Sequence, residues 1–163
     1  MVANVSGLLL TIITLPVMVN TLNSSKDYIL CRSCGSDLAS SNSIISKTSP
    51  SSRYSFSDTL FNTENTQVQV FSTNFVFNYP IVTVLHSSCG EVGEWEESTS
   101  WFPGYRWKPC VCPECGAYVG FVFEPIDPEL VEPSKKFYGL ILTTVISEHF
   151  LDTLIRFLYK QSS

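Results

Sequence analysis

Positive charge is scarce in this chain. Its 163 residues carry 10 Lys and Arg against 15 Asp and Glu, a formal net charge of −5. Nucleic-acid backbones are held by clustered Lys and Arg, so an acidic chain with no basic cluster is a poor candidate for a nucleic-acid polymer as partner. Histidine is limited to His86 and His149, and no cysteine follows Cys115. There is no internal repeat and no long low-complexity tract. The first 25 residues contain no charged side chain. Their apolar run, Gly7–Val19, is 13 residues long, too short for a bilayer span of about 20.

What is present is apolar and aromatic. Hydrophobic residues make up 44% of the chain and aromatics 13%, enough to bury a core in one domain. Gly7–Val19 suits the apolar region of a secretory signal peptide, although no Lys or Arg precedes it and no clear small-x-small cleavage site follows. Residues 1–25 are therefore expected to be a signal peptide. The protein is expected to be secreted and to meet a membrane only through that leader. The competing reading is a cytoplasmic protein in which this run packs on the domain as a strand or short helix. Asn23-Ser24-Ser25 is a glycosylation sequon.

From Tyr28 onward the pattern is that of β structure. Val68–Phe77 reads as two short strands around a turn at Phe71–Asn74, and Ile81–His86 as a continuous apolar strand. Tyr105–Lys108, Ala117–Glu124 and Phe137–Thr144 are further strands. Ala39–Ser57 holds nine Ser among nineteen residues and predicts a mobile surface loop. Pro125–Lys136 carries three Pro and predicts another loop. Ile146–Tyr159 places Ile146, Phe150, Leu151, Leu154, Ile155 and Leu158 at helical spacing, which predicts an amphipathic helix covering the domain. Its polar face is not basic, which argues against a membrane-surface role.

Six cysteines punctuate this pattern. Cys31-Arg32-Ser33-Cys34 and Cys112-Pro113-Glu114-Cys115 are both C-x-x-C, each followed by a Gly that permits the positive φ of a tight turn. Four thiolates in a tetrahedron favour Zn2+, and their separation would let the metal tie distant parts of the domain together. A redox C-x-x-C or two disulfides are the competing readings. Cys89 and Cys110 remain: a disulfide if the protein is secreted, otherwise two buried thiols.

The most specific string is Ser100-Trp101-Phe102-Pro103-Gly104-Tyr105-Arg106-Trp107. Two Trp flank a Pro-Gly turn that can bring both indoles to one pocket. Cys112–Cys115 follow, then Gly120-Phe121-Val122-Phe123 and Phe137-Tyr138-Gly139-Leu140. In order and spacing these pieces resemble the CULT domain family, the ligand-binding module of cereblon, over about residues 28–144. The resemblance implies a mainly β chain with a β-tent fold: two antiparallel sheets pinned by one zinc on four cysteines, with the amphipathic helix C-terminal. It divides the chain into the leader at 1–25, the CULT domain at 26–145 and a helix and tail at 146–163. Zinc falls on Cys31, Cys34, Cys112 and Cys115. The ligand cage falls on Trp101, Trp107 and Phe121, with Phe123 and Tyr138 supporting it, and with backbone hydrogen bonds from Thr99 C=O and Trp101 N–H. The family's ligand is a neutral cyclic imide or uridine-like ring. Two departures touch that ligand. Phe121 stands where the family usually has Trp, and Phe71-Ser72-Thr73-Asn74 matches a turn that is Asn-Pro-x-Gly in cereblon.

Three other functions compete. The fold is shared with B-type methionine sulfoxide reductases, but these need a nucleophilic Cys on a late strand, so an enzyme is not expected. An aromatic cage can also hold a quaternary ammonium group, which Glu94, Trp95, Glu96 and Glu97 would favour. A ubiquitin-ligase adaptor contact is not expected, because the chain leaves no room for the separate Lon-like domain that carries it; it looks instead like the stand-alone secreted members of the family.

Overall fold

The structure is a computed structural model that describes residues 26–73, 77–127, 129 and 136–161. The leader at 1–25, the sequon at Asn23–Ser25, position Asn74 and much of the expected loop Pro125–Lys136 lie outside the described residues. Two antiparallel sheets and a C-terminal helix make up the described chain. The smaller has three strands in the order β11-β1-β2, with β1 at Tyr28–Cys31, β2 at Asp37–Ser40 and β11 at Val145–Ser147. The larger runs β4-β5-β6-β10-β9-β8-β7, and the short β3 (Ile44–Ile45) pairs with β6. Its strands are β4 (Tyr54–Leu60), β5 (Thr63–Thr73), β6 (Phe77–Val84), β7 (Gly90–Glu91), β8 (Tyr105–Val111), β9 (Tyr118–Pro125) and β10 (Phe137–Ile141).

Strand alternation gives the large sheet two different faces. On one, Val68, Val82, Val84 and Leu140 pack with Ile29, Leu38 and Ala39 of the small sheet, forming a core that includes four cysteines. On the other, Phe71, Ile81, Phe121, Phe123, Phe137 and Ile141 form an aromatic layer closed by Phe102 and Tyr105. The first core holds the sheets together; the second builds the site. Pro80 sits in β6 opposite Val70 of β5 but beyond the β6–β10 register, which begins at Ile81, so its missing N–H interrupts no ladder on that side.

Several sequence expectations need correction. Phe71, Ser72 and Thr73 are strand, paired with Tyr79, Asn78 and Phe77, and the chain reverses only after Thr73. The alternation Val68-Gln69-Val70-Phe71 carries both faces through that stretch, which a turn would have broken. The Ser-rich segment Ala39–Ser57 is not a mobile loop. It contains parts of β2 and β4 and all of β3, and Ser41 and Ser49 are buried, because their hydroxyls bond backbone groups. The helix, α1, runs Glu148–Gln161 rather than from Ile146, since β11 pairs Ile146 with Leu30 of β1. Nor does it cover the domain: Phe150 is 52% exposed and Leu158 63%. It is tethered at its N-terminus, where the buried Asp27 carboxylate accepts from His149 N at 3.0 Å and Ser147 Oγ at 2.7 Å. A carboxylate there satisfies an orphan helix N–H and opposes the positive end of the helix dipole.

Candidate functional site

The four paired cysteines form one cluster. Each C-x-x-C closes the same turn: Gly35 N donates to Cys31 O at 2.8 Å and Gly116 N to Cys112 O at 2.9 Å. Gly35 and Gly116 take φ of 79° and 72°, with nothing within 4 Å of a built Cβ, so backbone conformation rather than space calls for glycine. The Sγ atoms of Cys31, Cys34, Cys112 and Cys115 all lie within 4.8 Å of one another. Cys31–Cys115 is 3.8 Å and Cys34–Cys112 is 3.6 Å. A zinc–sulfur tetrahedron with bonds of about 2.3 Å has edges of about 3.8 Å. The cluster could hold a metal ion and its spacing is compatible with zinc.

The thiols differ in their surroundings. Burial works against the Cys112 thiolate, but the Ser36 hydroxyl, 3.0 Å away, and the backbone N–H groups of Cys115 and Glu114 outweigh it and pull the thiol down to about 6. Ser36 likewise lowers Cys34. Cys115 receives a favourable backbone bond from Ala117, yet the crowding of Cys34, Cys112 and Cys31 pushes it up to about 12. Four negative sulfurs at this spacing repel one another, and a dication relieves that repulsion.

Cys89 and Cys110 form a disulfide with a Cα–Cα distance of 5.7 Å. It joins the segment entering β7 to β8, two residues from Cys112.

On the opposite face of the large sheet lies a cavity of about 370 Å³, lined by Ser72, Thr73, Thr99, Trp101, Trp107, Phe121 and Phe123. All five residues singled out in the sequence, Thr99, Trp101, Trp107, Phe121 and Phe123, meet there. Trp107 stands on β8 opposite Phe123 of β9, while Trp101 enters from the bend before the Pro103-Gly104 turn, where Gly104 has φ 82°. Phe121 packs edge-on to Trp101 at 4.7 Å and to Trp107 at 5.4 Å. Among the described residues no charged side chain lines the cavity. Among the same residues neither Thr99 C=O nor Trp101 N–H has a protein hydrogen-bond partner, and Trp107 Nε1 is buried without one. A buried donor left without a partner, as Trp107 Nε1 is, costs about 1–3 kcal/mol.

Tyr138 does not support this cage. It pairs with Val84 and Val122 and packs against the core between the sheets. Its neighbour Phe137 takes that place, stacked on Phe123 at 5.0 Å. The sequence reading also missed Tyr79, 5.9 Å from both Trp101 and Phe121, and misplaced Phe71, which lies flat on Trp101 at 4.5 Å with an interplanar angle of 8°. A period-2 reading carried from Val68 through Thr73 would have found Phe71. The acidic run does not enter the cavity. Glu96 sits opposite Trp107 but turns its carboxylate to Ser98, and the Trp95 ring is covered by Lys108 at 4.4 Å and Arg106 at 4.9 Å.

Comparison with known proteins agrees with this geometry. No family model matches the chain. Cereblon from Drosophila pseudoobscura pseudoobscura is 32% identical over 130 residues, 78% of this chain and 18% of that protein. Cereblons from Drosophila virilis and Drosophila melanogaster are each 28% identical over 130 residues, again 78% of this chain, and 18% and 20% of those proteins. The chain thus spans about a fifth of the length of the curated relatives it matches. Joined to the paired cysteine turns and the aromatic cavity, that likeness identifies the chain as a cereblon-like domain of the CULT family.

Proposed function

We propose that this chain is a zinc-stabilised binding domain that holds a neutral cyclic imide or uridine-like ring between Trp101, Trp107 and Phe121 and performs no catalysis on it. One observation carries the reading: residues from three separate parts of the sequence wall one cavity without contributing a charge to it. A small ring hiding on the order of 150 Å² of apolar surface gains roughly 4 kcal/mol. Lost translational freedom offsets much of this. Hydrogen bonds to Thr99 C=O and Trp101 N–H return about 1 kcal/mol each, which sets affinity near the micromolar range. The Cys89–Cys110 bond supports maturation in an oxidising compartment and hence secretion.

The test is titration of the metal-loaded protein with glutarimide, uridine and tetramethylammonium chloride, followed by Trp fluorescence. Quenching or a shift with either ring, lost in Trp107→Ala, supports the reading. Silence with both rings at millimolar concentration sinks it, and a response to the ammonium salt alone replaces it with a cation cage.

A further inference from the structure

The wall formed by Trp101 differs from the others in where it comes from. Trp107 and Phe121 stand on paired strands, β8 and β9, whose ladders fix them. Trp101 lies outside any strand, in the bend Ser100–Gly104, so something else must hold both its ring and its peptide.

Strand β5 supplies both holds. Gln69 and Phe71 are two residues apart, so their side chains leave the sheet on the same face, and both are buried. Phe71 stacks flat on the indole. Gln69 acts at a distance. Its side-chain amide pairs with the chain at Lys47–Ser49: Oε1 accepts from Ser49 N at 2.7 Å and Nε2 donates to Lys47 O at 2.7 Å. Ser49 Oγ then donates to the carbonyl of Trp101 and accepts from Ser51 N at 3.0 Å. Every polar group in this buried relay is satisfied, and such a network specifies a single geometry.

We propose that Ser49, held in place by Gln69, is a positioning residue for ligand recognition: its hydroxyl fixes the Trp101–Phe102 peptide and through it the orientation of the two preceding peptide units, so that Trp101 N–H and Thr99 C=O meet the ring at the correct angle. The Ser-rich segment is thereby the back support of the cage, bonded to the peptide that follows the recognising groups and not to the ligand. This rests on the binding role proposed above. It differs from a packing role because the bond reaches the backbone of the recognising bend, not its side chains.

The experiment compares wild type, Ser49→Ala and Ser49→Thr, all metal-loaded, by two readouts. The first is the Trp101 carbonyl 13C resonance in the ligand-free protein, which reports the hydrogen bond directly. The second is uridine and glutarimide affinity by fluorescence. Ser49→Ala moves the carbonyl resonance and weakens binding roughly tenfold, as expected for one lost hydrogen bond plus a mobile donor; Ser49→Thr restores both. Unchanged affinity in Ser49→Ala overturns the proposal, whatever the resonance does. If wild type binds neither ring, the binding role fails, and the carbonyl resonance alone decides whether Ser49 fixes the bend. Should Ser49→Ala not fold, Ser49→Thr against Ser49→Val asks the same question, since those two differ only in the hydroxyl.

Discussion

Two glycines show how closely single atoms set this fold. Gly120 lies in β9 opposite Leu140, and a Cβ built there would meet the Gly139 carbonyl oxygen at 2.1 Å. Backbone cannot yield that distance without opening the β9–β10 ladder. Gly139 presents a softer obstacle, the Ile81 Cγ2 at 2.9 Å and the Phe123 ring at 3.2 Å, both side chains with some freedom. Overpacking costs about 1–3 kcal/mol in such cores. We expect Gly120→Ala at or above the top of that range and Gly139→Ala near the bottom, measured by thermal unfolding of the metal-loaded protein. Equal losses would mean that the strands adjust as readily as side chains do. Gly139→Ala should also disturb Phe123 and so change the intrinsic fluorescence of the cage.

At the scale of elements, the short strand β7 is held at its end by charge. Glu91 bonds Lys108 at 2.9 Å and also Lys136. Partial burial opposes its charge, but the hydrogen bonds from Lys136 and Lys108 outweigh this and hold the carboxyl below its ordinary 4.5. A carboxyl lowered in the folded state contributes stability that is fully present above its unfolded value and is lost as pH falls through its folded one. Glu91→Gln is therefore expected to cost about 0.5–1 kcal/mol at neutral pH and to make unfolding less steeply dependent on acid below about pH 4.5. Denaturant melts at pH 7 and pH 3.5 check this; a variant as acid-sensitive as wild type would assign that sensitivity to other carboxylates. The elements themselves were only partly legible in the sequence. Strands with clean alternation or continuous apolar runs were legible in existence but not in bounds: the pattern marks Ile81–His86 where β6 runs Phe77–Val84, and Ala117–Glu124 where β9 runs Tyr118–Pro125. Ala39–Ser57 was not legible, because serine favours turns by propensity and the partners that bury Ser41 and Ser49 lie far away in sequence. The helix was legible as a helix; its exposure was not, since an apolar face does not say what it meets. The cavity residues were legible through motif order, and Phe71 matches a family position but reads as turn; Gln69 and Tyr79, which support the cage from β5 and β6, belong to no motif and emerge only from strand register.

For the molecule as a whole, the disulfide and a metal held by the cysteine cluster would do different work. The disulfide joins residues 21 apart, both within the region of β7 and β8. Closing a loop of that size restricts the unfolded chain by about 3 kcal/mol. The cysteine cluster reaches much further. Cys31 ends β1 of the small sheet and Cys112 follows β8 of the large one, so a metal there joins the two sheets themselves. Structural zinc sites supply on the order of 10–16 kcal/mol of apparent binding energy to folding, as much as the whole stability of an ordinary domain at about 5–15 kcal/mol. The two links should therefore fail differently. Cys89→Ser with Cys110→Ser should unfold cooperatively at a lower temperature and still bind ring probes at room temperature. Stripping the metal with a strong chelator should abolish cooperative unfolding and ring binding together, because the sheet that carries the cage loses its partner on the opposite face. Calorimetry with and without chelator separates the cases. A metal-free protein that still melts cooperatively would mean that apolar packing between Ile29, Leu38, Val68 and Val82 suffices to join the sheets, and that the four thiolates serve some end other than folding.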